Sequence, residues 1–169
     1  VKKGSFYFFF DSKQALAIEM LDRAWERTRS TIFAHSLADD TKGAVDAIDA
    51  YGHLLADNLE RVEADSGVVT GCRFGNFAIE LSTRDEEVRV RLASIFDEMI
   101  AIAASAIGRG VGSGELDPRT DPVAAATDVI VHMEGLMVLA KAHRRPALLR
   151  NLGPTIARLL AIQIDPDRK

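Results

Sequence analysis

The sequence predicts an all-α protein. After residue 10, apolar residues recur at intervals of three and four, which is the period of one helix face. No segment after that point shows the alternating pattern of a half-buried strand, and no repeat of fixed period is visible. With 169 residues, 47% of them hydrophobic and 27% charged, the chain is long enough and ordinary enough in composition to form a well-cored globular domain.

The periodic segments predict six helices after residue 10, over about 11–37, 44–64, 72–81, 86–108, 122–142 and 146–165. Asp11 is a suitable N-cap for the first, whose apolar stripe includes Leu16, Met20 and Trp25. Residues 83–86, Thr-Arg-Asp-Glu, have the spacing of a capping box at the start of the fourth. Asp121 followed by Pro122 places an N-cap and a first-turn proline at the start of the fifth.

A glycine-rich run at 108–114 resembles a nucleotide-binding loop only superficially. A phosphate-binding loop follows a strand and opens a helix, whereas this run follows a helix and leads to a proline. It also lacks the full spacing of the dinucleotide-binding motif. We therefore interpret it as the carboxyl-terminal cap of the fourth helix.

Charge and cysteine content exclude several classes of protein. The net charge of −4 argues against a surface that is basic all over, although residues 1–13 carry three lysines and one aspartate. The single cysteine excludes an internal disulfide framework. The four histidines lack metal-ligand spacing, and no catalytic grouping is recognisable, so we predict no metal, no cofactor and no enzyme activity. No apolar run reaches membrane-spanning length, and we expect a cytoplasmic protein without a membrane partner.

The amino-terminal segment reads Val-Lys-Lys-Gly-Ser-Phe-Tyr-Phe-Phe-Phe-Asp-Ser-Lys and continues into Gln-Ala-Leu. We predict that its aromatic run is helical, because a lone strand would have no partner in such a chain. The segment resembles the recognition helix, and the start of the next helix, in transcriptional regulators of the TetR family. The resemblance is strong over residues 1–16 and looser over the rest, where Gly71-Cys72, Gly75-Asn76 and the Ala-x-Glu-Leu at 78–81 fit the family's ligand-binding body.

The resemblance implies the remnant of a helix-turn-helix domain over residues 1–12, followed by an effector-binding and dimerisation domain over 13–169 with 13–37 as the connecting helix. The family's first two helices would precede Val1, so we expect residues upstream of the sequence. Two departures from the family pattern are Lys2 in place of a common serine, and Phe8 and Phe9 in place of polar aromatics, so fewer hydrogen bonds are expected to reach DNA there.

The resemblance also assigns DNA contacts. The amino-terminal end of the recognition helix is expected to contact base edges and phosphates. Tyr7 and Lys13 are expected to contact phosphates. Gly4 is expected to allow close approach to DNA, and Phe6 and Phe10 are expected to pack inward. The predicted DNA-binding residues are Lys2, Lys3, Gly4, Ser5, Tyr7, Phe8 and Lys13.

Aromatic residues, methionines and one histidine are candidates for an effector pocket, each with plain core packing as the alternative. They are Trp25, Tyr51, Phe74, Phe77, Phe96, Met99, His132 and Met133. Cys72, next to a predicted helix start, is either a structural residue or a sensor of oxidants or electrophiles. The last two helices are candidates for a two-fold interface, with Met133, Leu136, Met137, Ile156 and Leu159 as its residues.

These observations predict a homodimeric, ligand-responsive transcriptional repressor that a small-molecule effector releases from operator DNA. A small all-α carrier of hydrophobic ligands, or an enzyme without a recognisable catalytic motif, is the alternative. A purely structural dimerisation module is a third class, but it leaves the basic aromatic start of the chain unexplained.

Overall fold

The computed structural model describes residues 12–161. That range contains six α-helices and two short 3-10 helices, and it contains no strand, which confirms the predicted all-α class. The α-helices are α1 (Lys13–Thr31), α2 (Ala44–Ser66), α3 (Arg73–Leu81), α4 (Glu86–Ser113), α5 (Pro122–His143) and α6 (Leu152–Ala161). The 3-10 helices span Phe33–His35 and Pro146–Asn151.

The connecting helix α1 is shorter than predicted and has a different cap. Ser12, not Asp11, is its N-cap, and the Ser12 hydroxyl accepts a hydrogen bond from the backbone N–H of Ala15 at 3.0 Å. The helix ends at Thr31 rather than near residue 37. The turn that follows places Phe33 and Leu37 in the core, where both are fully buried. Phe33 packs there against Trp25 and against Tyr51 of α2, so tertiary packing accounts for the end of α1.

The glycine-rich run belongs to α4 for most of its length. The helix continues through Gly108, Gly110 and Gly112, and only Gly114, with φ 80°, forms the left-handed carboxyl-terminal cap. Gly110 is required for space: a Cβ there would lie 2.6 Å from the Cβ of Ala44 at the start of α2. The close contact between α4 and α2 therefore explains this glycine better than capping does.

Helix α5 begins as predicted, with the Asp121 carboxylate accepting from the backbone N–H groups of Val123 and Ala124. By length and composition alone, α5 is the one described helix that could span a membrane. Its inner face nevertheless packs against α4, α6 and the second 3-10 helix, which is the behaviour of a core helix. The last predicted helix is divided, because residues 146–151 form the 3-10 helix before α6.

The core lies between α2, α4 and α5, with α1 packed across α4 and the 3-10 helix 146–151 packed against α2. Three of the residues predicted at a dimer interface, Met133, Met137 and Ile156, are buried inside this core at 2%, 5% and 1% exposure. Their side chains are used within one chain and leave little surface for a second copy. They are core residues, and this corrects the predicted interface.

Candidate ligand pocket

A cavity of about 330 Å³ lies between α1, α2, the start of α3 and the middle of α4 and α5. This volume is at the lower end of the range for small-molecule sites. Most of its walls are apolar, and its polar residues come from α1, α2, the α2–α3 turn and the first residue of α3. The residues that line it are Met20, Leu21, Ala24, Arg27, Thr28, Thr31, Ile32, Tyr51, Leu55, Asn58, Leu59, Val62, Thr70, Gly71, Cys72, Arg73, Phe74, Phe77, Met99, Met133 and Met137.

Methionines from two helices form one wall of the cavity. Met99 comes from α4, and Met133 and Met137, one helical turn apart, come from α5. All three are buried. Because methionine side chains are flexible and polarisable, this wall can adapt to apolar molecules of different shapes.

Helix α1 contributes six residues to the lining, more than sequence reasoning assigned to it. Leu21 is buried, Met20 is exposed, and Thr28 uses its hydroxyl to bond the Ala24 carbonyl at 2.9 Å. A ligand in the cavity therefore contacts the helix that continues from the basic aromatic segment of the chain.

Trp25, one of the predicted pocket residues, lies behind the wall rather than on it. Its ring packs edge-on against Phe74, which lines the cavity, with 6.1 Å between ring centroids. It also packs against Phe33 at 5.3 Å. Its indole Nε1 donates to Glu98 on α4 at 2.6 Å. Trp25 thus joins the pocket wall to the contact between α1 and α4.

Cys72 is the N-cap of α3, and its sulfur accepts a hydrogen bond from the Gly75 N–H at 3.4 Å. Burial raises the pKa of the Cys72 thiol far above its usual range, and the carboxyl group of Glu134 raises it further, while the backbone N–H groups of Gly75 and Phe74 act in the opposite direction. Burial and Glu134 therefore outweigh the pKa-lowering effect of the backbone N–H groups at the start of α3. The thiolate form that a sensor needs is disfavoured.

Glu134 is the polar residue of this region that sequence reasoning missed. Burial raises its pKa, and Oε1 is buried without a hydrogen-bond partner among the described residues. The carboxylate fills the space beside α3 that a Cβ at residue 75 would need, since Oε2 lies 2.4 Å from that position. Glu134 belongs to the shell behind Cys72 and does not itself line the cavity.

Five of the eight residues predicted for an effector pocket line this cavity. Tyr51, Phe74, Phe77, Met99 and Met133 line the cavity. Trp25, Phe96 and His132 are not among the lining residues. Periodicity identifies the buried face of each helix, but not the part of that face that borders an empty space.

Of the predicted DNA contacts, Lys13 is within the described residues: it is the first residue of α1 and its side chain is exposed. Lys2, Lys3, Gly4, Ser5, Tyr7 and Phe8 lie outside them. No group of three or more metal-ligating side chains occurs in residues 12–161.

An exposed apolar face runs along α5. Val131 is 65% exposed, Val138 58% and Leu139 48%, with Gly135 between them on the same side. Leu159 on α6 is 45% exposed, and Leu136 is partly buried. Of the predicted interface residues, Leu136 and Leu159 are thus the two that retain accessible surface.

Comparison with known proteins places this architecture among transcriptional regulators. Residues 53–154 match the family model for the tetracyclin repressor-like C-terminal domain. The chain is 28% identical over 144 residues to the HTH-type transcriptional repressor DhaR of Mycobacterium sp. strain GP1, and the match covers 85% of this chain and 68% of that protein.

Two solved structures share the fold. A TetR transcriptional regulator from Chloroflexus aurantiacus is 30% identical, with a TM-score of 0.76 over 93% of this chain and 76% of that one. The regulatory protein TetR from Rhodobacter sphaeroides is 23% identical, with a TM-score of 0.77 over 94% of this chain and 81% of that one. The similarity therefore extends over nearly the whole described range.

Proposed function

Since the chain belongs to the tetracycline-repressor-like (TetR) family of transcriptional regulators, we propose that it is a homodimeric repressor that a small-molecule effector releases from operator DNA. Its relatives include a transcriptional repressor, and its class is that of ligand-responsive DNA-binding regulators. The observation that carries the proposal is the cavity beneath α1, because one helix both lines the cavity and follows the basic aromatic segment.

Three side-chain contacts fix α1 against α4, and they lie along the length of the helix. Gln14 donates to Asp85 at 2.8 Å, Arg91 donates to Asp22 at 2.5 Å, and Trp25 donates to Glu98 at 2.6 Å. We call these the α1–α4 contacts. They hold the amino-terminal end of α1 in one position relative to the body.

An effector in the cavity contacts a face of α1 next to the one that bonds to α4. Leu21 and Phe74 line the cavity, and Trp25 packs on Phe74 while bonding to Glu98. A bound molecule that moves Phe74 or Leu21 therefore strains the α1–α4 contacts. In a dimer that reads two half-sites about one helical turn of DNA apart, such a movement changes the separation of the two reading segments.

The exposed apolar face of α5, together with Leu136 and Leu159, is the proposed dimer interface. Several exposed apolar side chains on one side of a helix are characteristic of surfaces that a partner covers. Gly135, with no atom within 4 Å of its Cβ position, allows the same helix of a second copy to approach closely. The DNA contacts remain those proposed for residues 2–13.

The test is DNA binding measured with the chain's own promoter region. The protein is expressed from its own gene and titrated onto the labelled fragment at about 50 and 200 mM salt, a range over which phosphate contacts weaken strongly. Specific, salt-sensitive binding is expected. Absence of specific binding would contradict the regulator and favour a carrier of hydrophobic ligands.

A further inference from the structure

Two arginines are the charged residues that line the cavity. Arg27 comes from α1, and Arg73 is the first residue of α3. Both side chains are exposed. No lining residue in the described part of the chain is an aspartate or glutamate.

The two arginines differ from most others in the protein by lacking a partner. Arg91 is held by Asp22 and Glu98, and other arginines bond to carboxylates, hydroxyls, amides or backbone carbonyls. Within residues 12–161, the arginine side chains without a hydrogen bond or ion pair are Arg27, Arg73, Arg84 and Arg145. Only the first two line the cavity.

We infer that the effector is an amphipathic anion, with an apolar body inside the cavity and one carboxylate or similar anionic head between Arg27 and Arg73. This inference rests on the proposed function, since it names the chemical class of that effector. The guanidinium fork matches a carboxylate geometrically, and the methionine, leucine and phenylalanine walls match the apolar body. Asn58 adds a donor, because its Oδ1 accepts from Arg61 while its amide N–H groups have no acceptor within the described residues.

The nearest buried carboxyl group does not oppose an anion directly. Glu134 lies behind Cys72, outside the lining, and burial raises its pKa, which reduces the fraction that is charged. A cationic ligand would have to reach past Cys72 to meet that group, whereas it would meet the two arginines at the lining itself.

The position of the arginines gives the charge a mechanical role. An anionic head that bonds to both Arg27 and Arg73 connects α1 to α3, two helices that the described side chains do not otherwise link by an ion pair. This new connection competes with the α1–α4 contacts for the position of α1. A neutral analogue fills the same apolar walls without making the connection.

The test compares three ligands that share a straight ten-carbon body: decanoate, decanol and decyltrimethylammonium. Binding to the 169-residue chain is followed by the fluorescence of Trp25, the single tryptophan of the sequence, whose ring lies 6.1 Å from that of Phe74 on the wall. We expect decanoate to bind about tenfold more tightly than decanol and the cation to bind weakest, with the first ratio falling as salt rises.

Variants assign the effect to the two arginines. Arg27→Gln and Arg73→Gln should each weaken decanoate about fivefold, the size expected for an exposed ion pair, and leave decanol unchanged. Arg84→Gln is the matched control, because Arg84 is exposed, lies outside the cavity and makes no side-chain hydrogen bond or ion pair within residues 12–161. It should leave the affinities for decanoate and decanol unchanged.

Equal affinity for decanoate and decanol, tighter binding of the cation, or no binding of any of the three would overturn the anionic class. So would arginine variants that leave the ratio unchanged. These measurements contain no DNA, so they fail or succeed independently of operator release, which the promoter titration tests.

Discussion

Trp25 and Glu98 form a hydrogen bond that joins α1 to α4, with 2.6 Å between the indole Nε1 and Oε2 of the carboxylate. Trp25 is 3% exposed, so its N–H has little access to water as a replacement acceptor. Burial alone would raise the pKa of Glu98, but hydrogen bonds from Trp25 and Arg91 outweigh it and the net pKa is lowered. The carboxylate is therefore held in its charged form between a donor from α1, Trp25, and a donor from α4, Arg91.

Glu98→Ala should lower the free energy of unfolding by about 1–2 kcal/mol, because it leaves the buried indole N–H unpaired. Urea unfolding at neutral pH measures the change. Glu87→Ala is the control, since Glu87 is an exposed residue of the same helix whose side chain makes no hydrogen bond or ion pair within the described residues. Equal loss in both variants would mean that the Trp25 contact contributes nothing specific.

Glu134→Gln should stabilise the protein increasingly as pH rises. Burial raises the pKa of Glu134 above its ordinary 4.5. Between pH 4.5 and the raised pKa, the folded chain binds more protons than the unfolded chain. The free energy of unfolding of the parent protein therefore falls as pH increases through that range. Each pH unit by which the folded pKa is raised is worth about 1.4 kcal/mol.

The measurement is urea unfolding of the parent and of Glu134→Gln from about pH 4 upward, around the ordinary carboxyl pKa. The variant's advantage should be smallest at the acidic end and should level off above the folded pKa of Glu134. An advantage that stays constant over the whole range would show that the carboxyl group is not destabilised by burial.

Gly110→Ala should destabilise the fold by about 1–3 kcal/mol, although alanine is the better helix former. The new Cβ would lie 2.6 Å from the Cβ of Ala44 and 3.1 Å from Leu116, so two helices must separate. Gly112→Ala, two residues on in the same helix and with open space around its Cβ position, should instead stabilise by about 0.5–1 kcal/mol. Thermal unfolding of both variants checks the opposite signs, and the same sign in both would contradict the close contact.

Val131→Asp should convert the proposed dimer to monomer, because a carboxylate on the exposed apolar face of α5 would be buried without a partner in the interface. Val131 is 65% exposed in the single chain, so the fold itself should tolerate the change. Sedimentation velocity measures the assembly state. Val90→Asp, at 52% exposure on α4, is the matched control and should leave the dimer intact.

Sequence patterns located the helices well where the signal is local. The cap at Asp121 depends on neighbouring residues alone and was predicted, whereas α4 was predicted to end near residue 108 and continues to Ser113, with Gly114 as its left-handed cap. The end of α1 was not predicted, because it depends on Phe33 packing against Tyr51 of the next α-helix.

The lining of the cavity was the least predictable feature. Arg27 looks like part of the solvent side of an amphipathic helix in the sequence, and only the tertiary structure shows that it lines the cavity. Met133 was assigned to both the pocket and the dimer interface, and its burial leaves it only the first. The sequence predicts which segments are helical, but not how each helix is oriented against its neighbours, and that orientation determines which residues line the cavity.

Cys72→Ser should leave the fold and the proposed dimer intact, because serine can accept the Gly75 N–H that the sulfur now accepts. The raised pKa of the Cys72 thiol also predicts slow chemistry: Ellman's reagent at mildly alkaline pH should modify the native protein at least about tenfold more slowly than the urea-unfolded chain, since only the thiolate attacks. Glu134→Gln removes one of the causes of that raised pKa and should speed the native reaction. Rapid native modification, with promoter release by electrophiles that Cys72→Ser abolishes, would instead establish the sensor role.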